Sequence, residues 1–323
     1  RKVAYGFGSV AFGVKSNGFD YFFLIFYSQV MGVSAYLVSL ALMIALIVDA
    51  LSDPLIGYLS DNTRSRWGRR HPFMYAAAFP AAIAYYFVWN PPSGLEGDAL
   101  FPYIVTIAVL VRTLVTVYEI PSSSLVAEMS DDYDERTSML SYRYFFGWTG
   151  GVLMGAFATI FILVPTATIG NGMFNVEGHG QVGAIAAMAI FMAMMVSSMG
   201  THKMIPDLKA PPPPRQMTIG LIYREVFETL ASRSFLALFL AALFGAVAAG
   251  VSTTLNFYFS TFFWEFTTEQ IGLISLSVVI SAVLAFFIAP VVSRKFGKKR
   301  GAITVGLMAF TVAPAPILLR LLG

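Results

Sequence analysis

A chain of 323 residues that is 57% hydrophobic, only 12% charged and of mean hydropathy +0.71 lies far outside the range of soluble domains, in which about a quarter of residues are charged. Its formal net charge of +3 does not indicate nucleic acid, because the basic residues fall in short loops between apolar stretches and not on one polar face. The absence of cysteine excludes a disulfide framework, a thiolate metal site and a thiol nucleophile.

Mostly apolar stretches of about 20 residues, the length needed to cross a hydrocarbon core, recur along the chain. Nine helices are expected, over 4–30, 34–60, 72–91, 99–126, 138–165, 181–202, 232–262, 269–292 and 301–321. The first is not a cleavable signal peptide, since it is too long, carries Lys15 and Asp20 in its middle and lacks a small-residue cleavage site. The separators are rich in turn formers, as in Asn90-Pro-Pro-Ser-Gly94 and Gly170-Asn-Gly172, and the run Pro211–Pro214 reads as a stiff extended spacer. The chain therefore divides into a six-helix bundle over 1–203, an inter-half linker over 204–231, and three further helices over 232–323. Seventeen of the 21 Lys and Arg residues lie at Arg1/Lys2 and around the loops after helices two, four, six and eight. By the positive-inside rule the N-terminus and the linker are cytoplasmic, and the protein is a multi-pass component of the cell membrane.

The loop after helix two, Gly57 to Arg70, and the loop after helix eight, Ala289 to Lys299, are two copies of one basic pattern. Aligning Gly57 with Ala289 gives an offset of 289 − 57 = 232 residues, which also superposes the starts of helices one and seven. This resembles the parallel half-to-half repeat of the major facilitator superfamily. The second copy has three helices where six are expected, and the chain begins without Met, so a fragment of an all-α twelve-helix protein is the expectation.

Six ionisable residues lie well inside expected spans: Lys15 and Asp20 on helix one, Asp49 and Asp53 on helix two, Arg112 and Glu119 on helix four. At roughly 2.5–3.5 kcal/mol each, their insertion costs about 15–20 kcal/mol unless they face one another or a wet cavity. Counting residues from the outer helix ends at about 1.5 Å per residue matches Asp20 with Arg112 in an outer layer, Asp49 with Lys15 in a middle one and Asp53 with Glu119 in an inner one. Asp49 and Asp53, four apart, share a helix face, as do Arg112 and Glu119. Asp49, Asp53 and Glu119 are expected to converge, and such a cluster holds a proton or a metal cation, because like charges in a dry site raise one another's pKa. Oxygen ligands suit Na⁺ and H₃O⁺ equally. The competing reading, for all six, is a set of helix-pinning ion pairs.

Asp61, Arg64, Arg66, Arg69 and Arg70 form either a topology signal or a gating latch, with the acidic run Asp131–Glu135 as partner. Gly147, Gly151 and Gly155 make a small-residue seam for close helix packing, and Tyr85, Tyr86 and Trp89 read as an interfacial belt. His71, His179 and His202 have no metal-ligand spacing, and no nucleophile elbow, phosphate loop or zinc-protease motif occurs.

The block from Asp49-Ala-Leu-Ser-Asp53-Pro-Leu-Ile-Gly57 through Asp61-Asn-Thr-Arg-Ser-Arg-Trp-Gly-Arg-Arg70 resembles the glycoside–pentoside–hexuronide:cation symporter family, of which the melibiose carrier is typical. A second block, Tyr118-Glu-Ile-Pro121-Ser-Ser-Ser-Leu-Val-Ala-Glu128 with Asp132-Tyr-Asp-Glu-Arg136-Thr and Tyr142-Arg143-Tyr-Phe-Phe, is similar to the same family. The resemblance implies that Asp49 and Asp53 serve cation coupling, that Glu119 works around substrate and cation, and that Arg143 lies near the sugar pocket. The pattern departs at Glu119, where the melibiose-carrier type has aspartate, and over Phe12–Asn17, where that type has an acid and this chain has Lys15. Lysolipid carriers share the scaffold. The expected activity is thus alternating-access symport of a small substrate, a glycoside or other sugar, with Na⁺ or H⁺, by a monomer in the bilayer without any other cofactor. Cation ligands are Asp49, Asp53 and Glu119, with Asp49 and Asp53 holding Na⁺ if the ion is sodium. Substrate ligands are Lys15, Asp20, Arg112, Glu119 and Arg143. A non-transporting membrane receptor is the rival class.

Overall fold

Helices are the only way for a lone apolar segment to satisfy its backbone in lipid, and the sequence supplies each with a packing face. The computed structural model describes residues 1–164, 172–208, 218–258, 263–265 and 268–322. The helical rod α1 covers residues 2–30, followed by α2 (Ala35–Asn62), α3 (His71–Trp89), α4 (Phe101–Met129), α5 (Tyr133–Phe157), α6 (Val176–His202), α7 (Ile219–Leu230), α8 (Arg233–Tyr258), α9 (Thr268–Phe296), α10 (Lys298–Val312) and α11 (Ala315–Leu322). Among the described residues seven helices are long and apolar enough to cross a membrane. The expected linker contains a helix, α7, that the composition of 204–231 does not suggest, and the Pro211–Pro214 spacer lies outside the described residues.

The core cluster runs from Tyr5 to Met194 and so belongs to α1–α6. α1 buries Phe19, Phe22, Phe23, Phe26 and Tyr27, the three-and-four spacing of one helix face, and the Tyr27 hydroxyl donates to the Val88 carbonyl of α3 at 2.6 Å. α3 buries Ala77, Ala78, Ala81 and Ala82, α6 buries Ala186, Ala187 and Ala193, and the two helices pack along each other, as small residues allow. The expected interfacial belt is corrected here: Tyr85 and Trp89, one turn apart, are buried inside the bundle, with Trp89 stacked on His179 at 5.9 Å, and Tyr86 alone of the three is exposed.

The expected glycine seam on α5 is present and meets a glycine of α1. A Cβ built on Gly13 would overlap the Gly147 carbonyl, and one on Gly151 would overlap the Gly13 carbonyl. Gly13→Val therefore forces the α1–α5 crossing apart, an overpacking cost of about 1–3 kcal/mol. A lowered unfolding temperature of the full-length protein in detergent is the expected result, and an unchanged one would contradict the crossing.

α1 is not a uniform α-helix. Gly18–Phe22 and Phe26–Val30 are π-helical turns, as is Ala158–Ile162 at the end of α5. Each π turn inserts a residue relative to α-helical register and shifts every side chain beyond it around the axis.

The two copies of the basic loop each contain one glycine with a positive φ. Gly68 and Gly297 have φ +72° and +75°, which only glycine takes at little cost, and each is followed by a basic pair and a new helix. The halves also touch. α9 packs on α5 through Phe286, whose ring lies 4.8 Å from Tyr142 and 5.1 Å from Phe145, and Arg294 pairs with Asp134 at 3.5 Å.

Candidate functional site

The packing of α2 along α4 sets the Asp49/Asp53 face against the face of Arg112, Thr116 and Glu119. Thr116 donates its hydroxyl to Asp49 Oδ1 at 2.8 Å and is close to the Asp53 carboxylate. Arg112 Nε stands 3.9 Å from Asp49 Oδ2, an ion pair too long to be a hydrogen bond. Asp53 Oδ1 is buried and receives no hydrogen bond.

Two sequence expectations are corrected by this geometry. Arg112 pairs with Asp49 and not with Asp20, which is exposed and forms no ion pair among the described residues. Asp20 lies within the first π turn of α1, so a depth count at α-helical rise misplaces it both along the axis and around it. The three carboxylates also do not form one cluster. Among the described residues no three His, Asp or Glu side chains approach closely enough to hold a metal ion together. Glu119 is drawn away by Arg143 of α5, whose Nη2 binds Glu119 Oε1 and whose Nη1 donates to Ser122 Oγ at 3.0 Å. The Arg143 guanidinium also lies over the Tyr5 ring at 5.6 Å. Arg143 takes Glu119 Oε1 and leaves Glu119 Oε2 buried with no hydrogen-bond partner, while Asp49, Asp53 and Thr116 supply the oxygens brought together between α2 and α4. Thr116 went unread in the sequence, although it lies on the Arg112–Glu119 face, four residues after one and three before the other.

Lys15 is 5% exposed. Its ammonium lies 4.6 Å from the Phe12 ring centre and within electrostatic reach of Arg112, Asp49, Glu119 and Asp20, yet it forms no ion pair or hydrogen bond among the described residues. Arg112 is likewise largely enclosed, lies 5.8 Å from the Phe19 ring and has a buried Nε with no hydrogen-bond partner.

At the opposite end of α4 the basic loop closes on a residue that sequence reasoning quoted but did not assign. Glu128 Oε1 accepts from Arg69 Nε at 3.1 Å and from Arg70 Nε at 2.9 Å. Arg70 also binds Asp61 and donates to Ser60 Oγ at 2.7 Å. Among the described residues no ion pair joins Arg69 or Arg70 to the acidic run. Asp132 caps α5, accepting from the Glu135 amide at 2.6 Å, Asp131 pairs with Arg136 at 3.3 Å, and Asp134 takes Arg294. An acid at a helix N-terminus is held by its own helix, which leaves the run turned toward α5. Arg66 lies over the Trp67 ring at 5.3 Å, and Arg64, like Arg66, is exposed.

Residues 4–321 match the family model described as MFS/sugar transport protein. The chain belongs to this family, the glycoside–pentoside–hexuronide:cation symporters of the major facilitator superfamily. It is 30% identical over 272 residues to an uncharacterized symporter of Synechocystis sp., covering 79% of this chain and 49% of that protein. It is 25% identical over 204 residues to the isoprimeverose transporter of Lactiplantibacillus pentosus (61% and 41%), and 30% identical over 147 residues to the sodium-dependent lysophosphatidylcholine symporter 1 of Mus musculus (44% and 28%). The chain spans about half the length, or less, of these curated relatives. Membership carries the multi-pass membrane architecture with it.

Proposed function

We propose that the protein is a symporter that couples a monovalent cation, Na⁺ or H⁺, to the movement of a small glycoside or other sugar by alternating access, with its N-terminus in the cytoplasm. The observation that carries this reading is the incompletely paired Asp49/Asp53 face, where a buried carboxylate oxygen has no donor. A bare carboxylate at that depth is costly, and a bound cation or proton removes the cost. Cation occupancy then alters the affinity for substrate, and by linkage substrate alters the affinity for cation to the same degree. The isoprimeverose transporter among its relatives supports a sugar as substrate. A second reading, a lysolipid or other amphiphile, is favoured by the likeness to a sodium-dependent lysophosphatidylcholine symporter.

Counterflow in proteoliposomes of the full-length protein, run over a panel of sugars and lysolipids with and without Na⁺ and at two proton concentrations, tests the reading. A symporter exchanges substrate down its gradient and accumulates it only when a cation gradient is imposed. Exchange indifferent to both cations would replace symport by facilitated diffusion, and binding without exchange would make the protein a receptor.

A further inference from the structure

We propose that the α1–α6 bundle holds a single buried water molecule that joins the Trp89 indole to the His179 imidazole. The site is a small cavity between α1, α3, α5 and α6, apart from the Asp49/Asp53 face, and Asn17, Gly18, Tyr85, Trp89, Ala158 and His179 line it. Trp89 is 2% exposed and His179 0%, and each has a buried ring nitrogen without a hydrogen-bond partner, Trp89 Nε1 and His179 Nδ1. The two nitrogens are complementary. His179 Nε2 lies 2.9 Å from the Met173 carbonyl oxygen, which only accepts, so Nε2 carries the hydrogen. A second proton on the ring would put a charge among apolar side chains at high cost, so Nδ1 is an acceptor. Trp89 Nε1 is a donor only.

The two rings cannot satisfy one another. They stack nearly parallel, at 12° and 5.9 Å between centres, so an N–H in one plane does not point at a nitrogen in the other. A third group that accepts from one and donates to the other is required, and the cavity decides which. Its volume is about 10 Å³, room for about one water and nothing larger. Apart from His179 and the Tyr85 phenol its wall has no ionisable side chain, so the guest is neutral. A buried water makes about three hydrogen bonds, and further polar atoms are at hand. The Tyr85 hydroxyl donates to the Val14 carbonyl at 3.4 Å and can still accept, and it stands beside Trp89 Nε1 without hydrogen-bonding geometry. Asn17 Oδ1 occupies the room that a Cβ on Gly155 would fill, and the Tyr85 hydroxyl that of a Cβ on Gly18. Gly18 and Ala158 begin π turns of α1 and of the end of α5, so the water ties α3 to α6 where both neighbouring helices change register.

Two measurements on the full-length protein test the site. Electron cryomicroscopy at a resolution that shows ordered water should reveal a density peak within hydrogen-bond distance, about 3 Å, of both Trp89 Nε1 and His179 Nδ1. Density that shows other buried waters but none here, or Trp89 Nε1 bonded directly to the Tyr85 hydroxyl, would overturn the proposal. In magnetic resonance spectra of isotope-labelled protein the Trp89 indole proton, assigned by its loss in Trp89→Phe, should show a cross-peak to water. That cross-peak should persist in Tyr85→Phe, which removes the hydroxyl as a relay, and His179 should be the neutral ring with its hydrogen on Nε2. No cross-peak in the wild type, its loss in a folded Tyr85→Phe protein, or a ring with its hydrogen on Nδ1 would each contradict the bridge. The density and the state of the His179 ring are read on the unsubstituted protein, so neither depends on a variant that folds.

Discussion

Asp53→Asn is expected to abolish cation-driven accumulation while leaving downhill exchange measurable. The asparagine keeps the volume of the side chain and removes the charge that makes the site attractive to a cation. Asp53 Oδ1 has no protein donor to lose, so the substitution breaks no hydrogen bond of that oxygen and folding should survive. Couplings between sites of this kind are typically about 1–3 kcal/mol, or about 5–150-fold in affinity, and the whole of it should vanish. Asp49→Asn should behave similarly in transport but with a larger folding defect, because it also weakens the contacts to Thr116 and Arg112. Full accumulation by an Asp49→Asn/Asp53→Asn protein would remove both residues from the cation site.

The second large effect is expected at the other end of α4. Glu128 and Arg70 have side chains 4% and 6% exposed, and Glu128 Oε1 serves both Arg69 and Arg70. Glu128→Ala strands Arg70 with only Asp61 and Ser60, and truncating one partner of a buried ion pair costs about 3–5 kcal/mol. Thermal unfolding of the full-length protein in detergent should show that loss. The triple variant Glu128→Ala/Arg69→Met/Arg70→Met should recover most of it, since neither arginine is then left without the Glu128 carboxylate. A single variant as stable as wild type would mean that the loop is held by something other than this pair, and the latch reading of Asp61, Arg69 and Arg70 would lose its anchor.

What the sequence made legible, and what it hid, follows from the range of the forces involved. Apolar stretches and the positive-inside bias are properties of contiguous residues, so the spans and the repeat could be read directly. Each basic loop also holds a glycine of positive φ, Gly68 and Gly297, although these lie 297 − 68 = 229 residues apart and not 232. The inward charges were legible too, because an ionisable group in a span is anomalous wherever it points. Their partners were not. Asp20 was matched to Arg112 by counting along an ideal helix, and the π turns at Gly18–Phe22 and Phe26–Val30 break the premise of that count. Glu119 was assigned to the aspartates because nothing local shows that Arg143, twenty-four residues later on another helix, reaches it first. Glu128 was hidden for the same reason, as its partners lie in a loop 58 and 59 residues earlier. Tyr85 and Trp89 are aromatic near a helix end whether they face lipid or protein, and only the packing of α1, α3 and α6 decides the matter.

The central claim is that the Asp49/Asp53 face holds the coupling cation, and reciprocity tests it most directly. Equilibrium dissociation constants should be measured for substrate with and without cation, and for cation with and without substrate, on the wild-type and Asp49→Asn/Asp53→Asn full-length proteins. The account predicts that the two wild-type factors are equal and that both collapse to one in the double variant. Substrate affinity that does not respond to Na⁺ or H⁺ in the wild type, or that responds equally in the double variant, would contradict it.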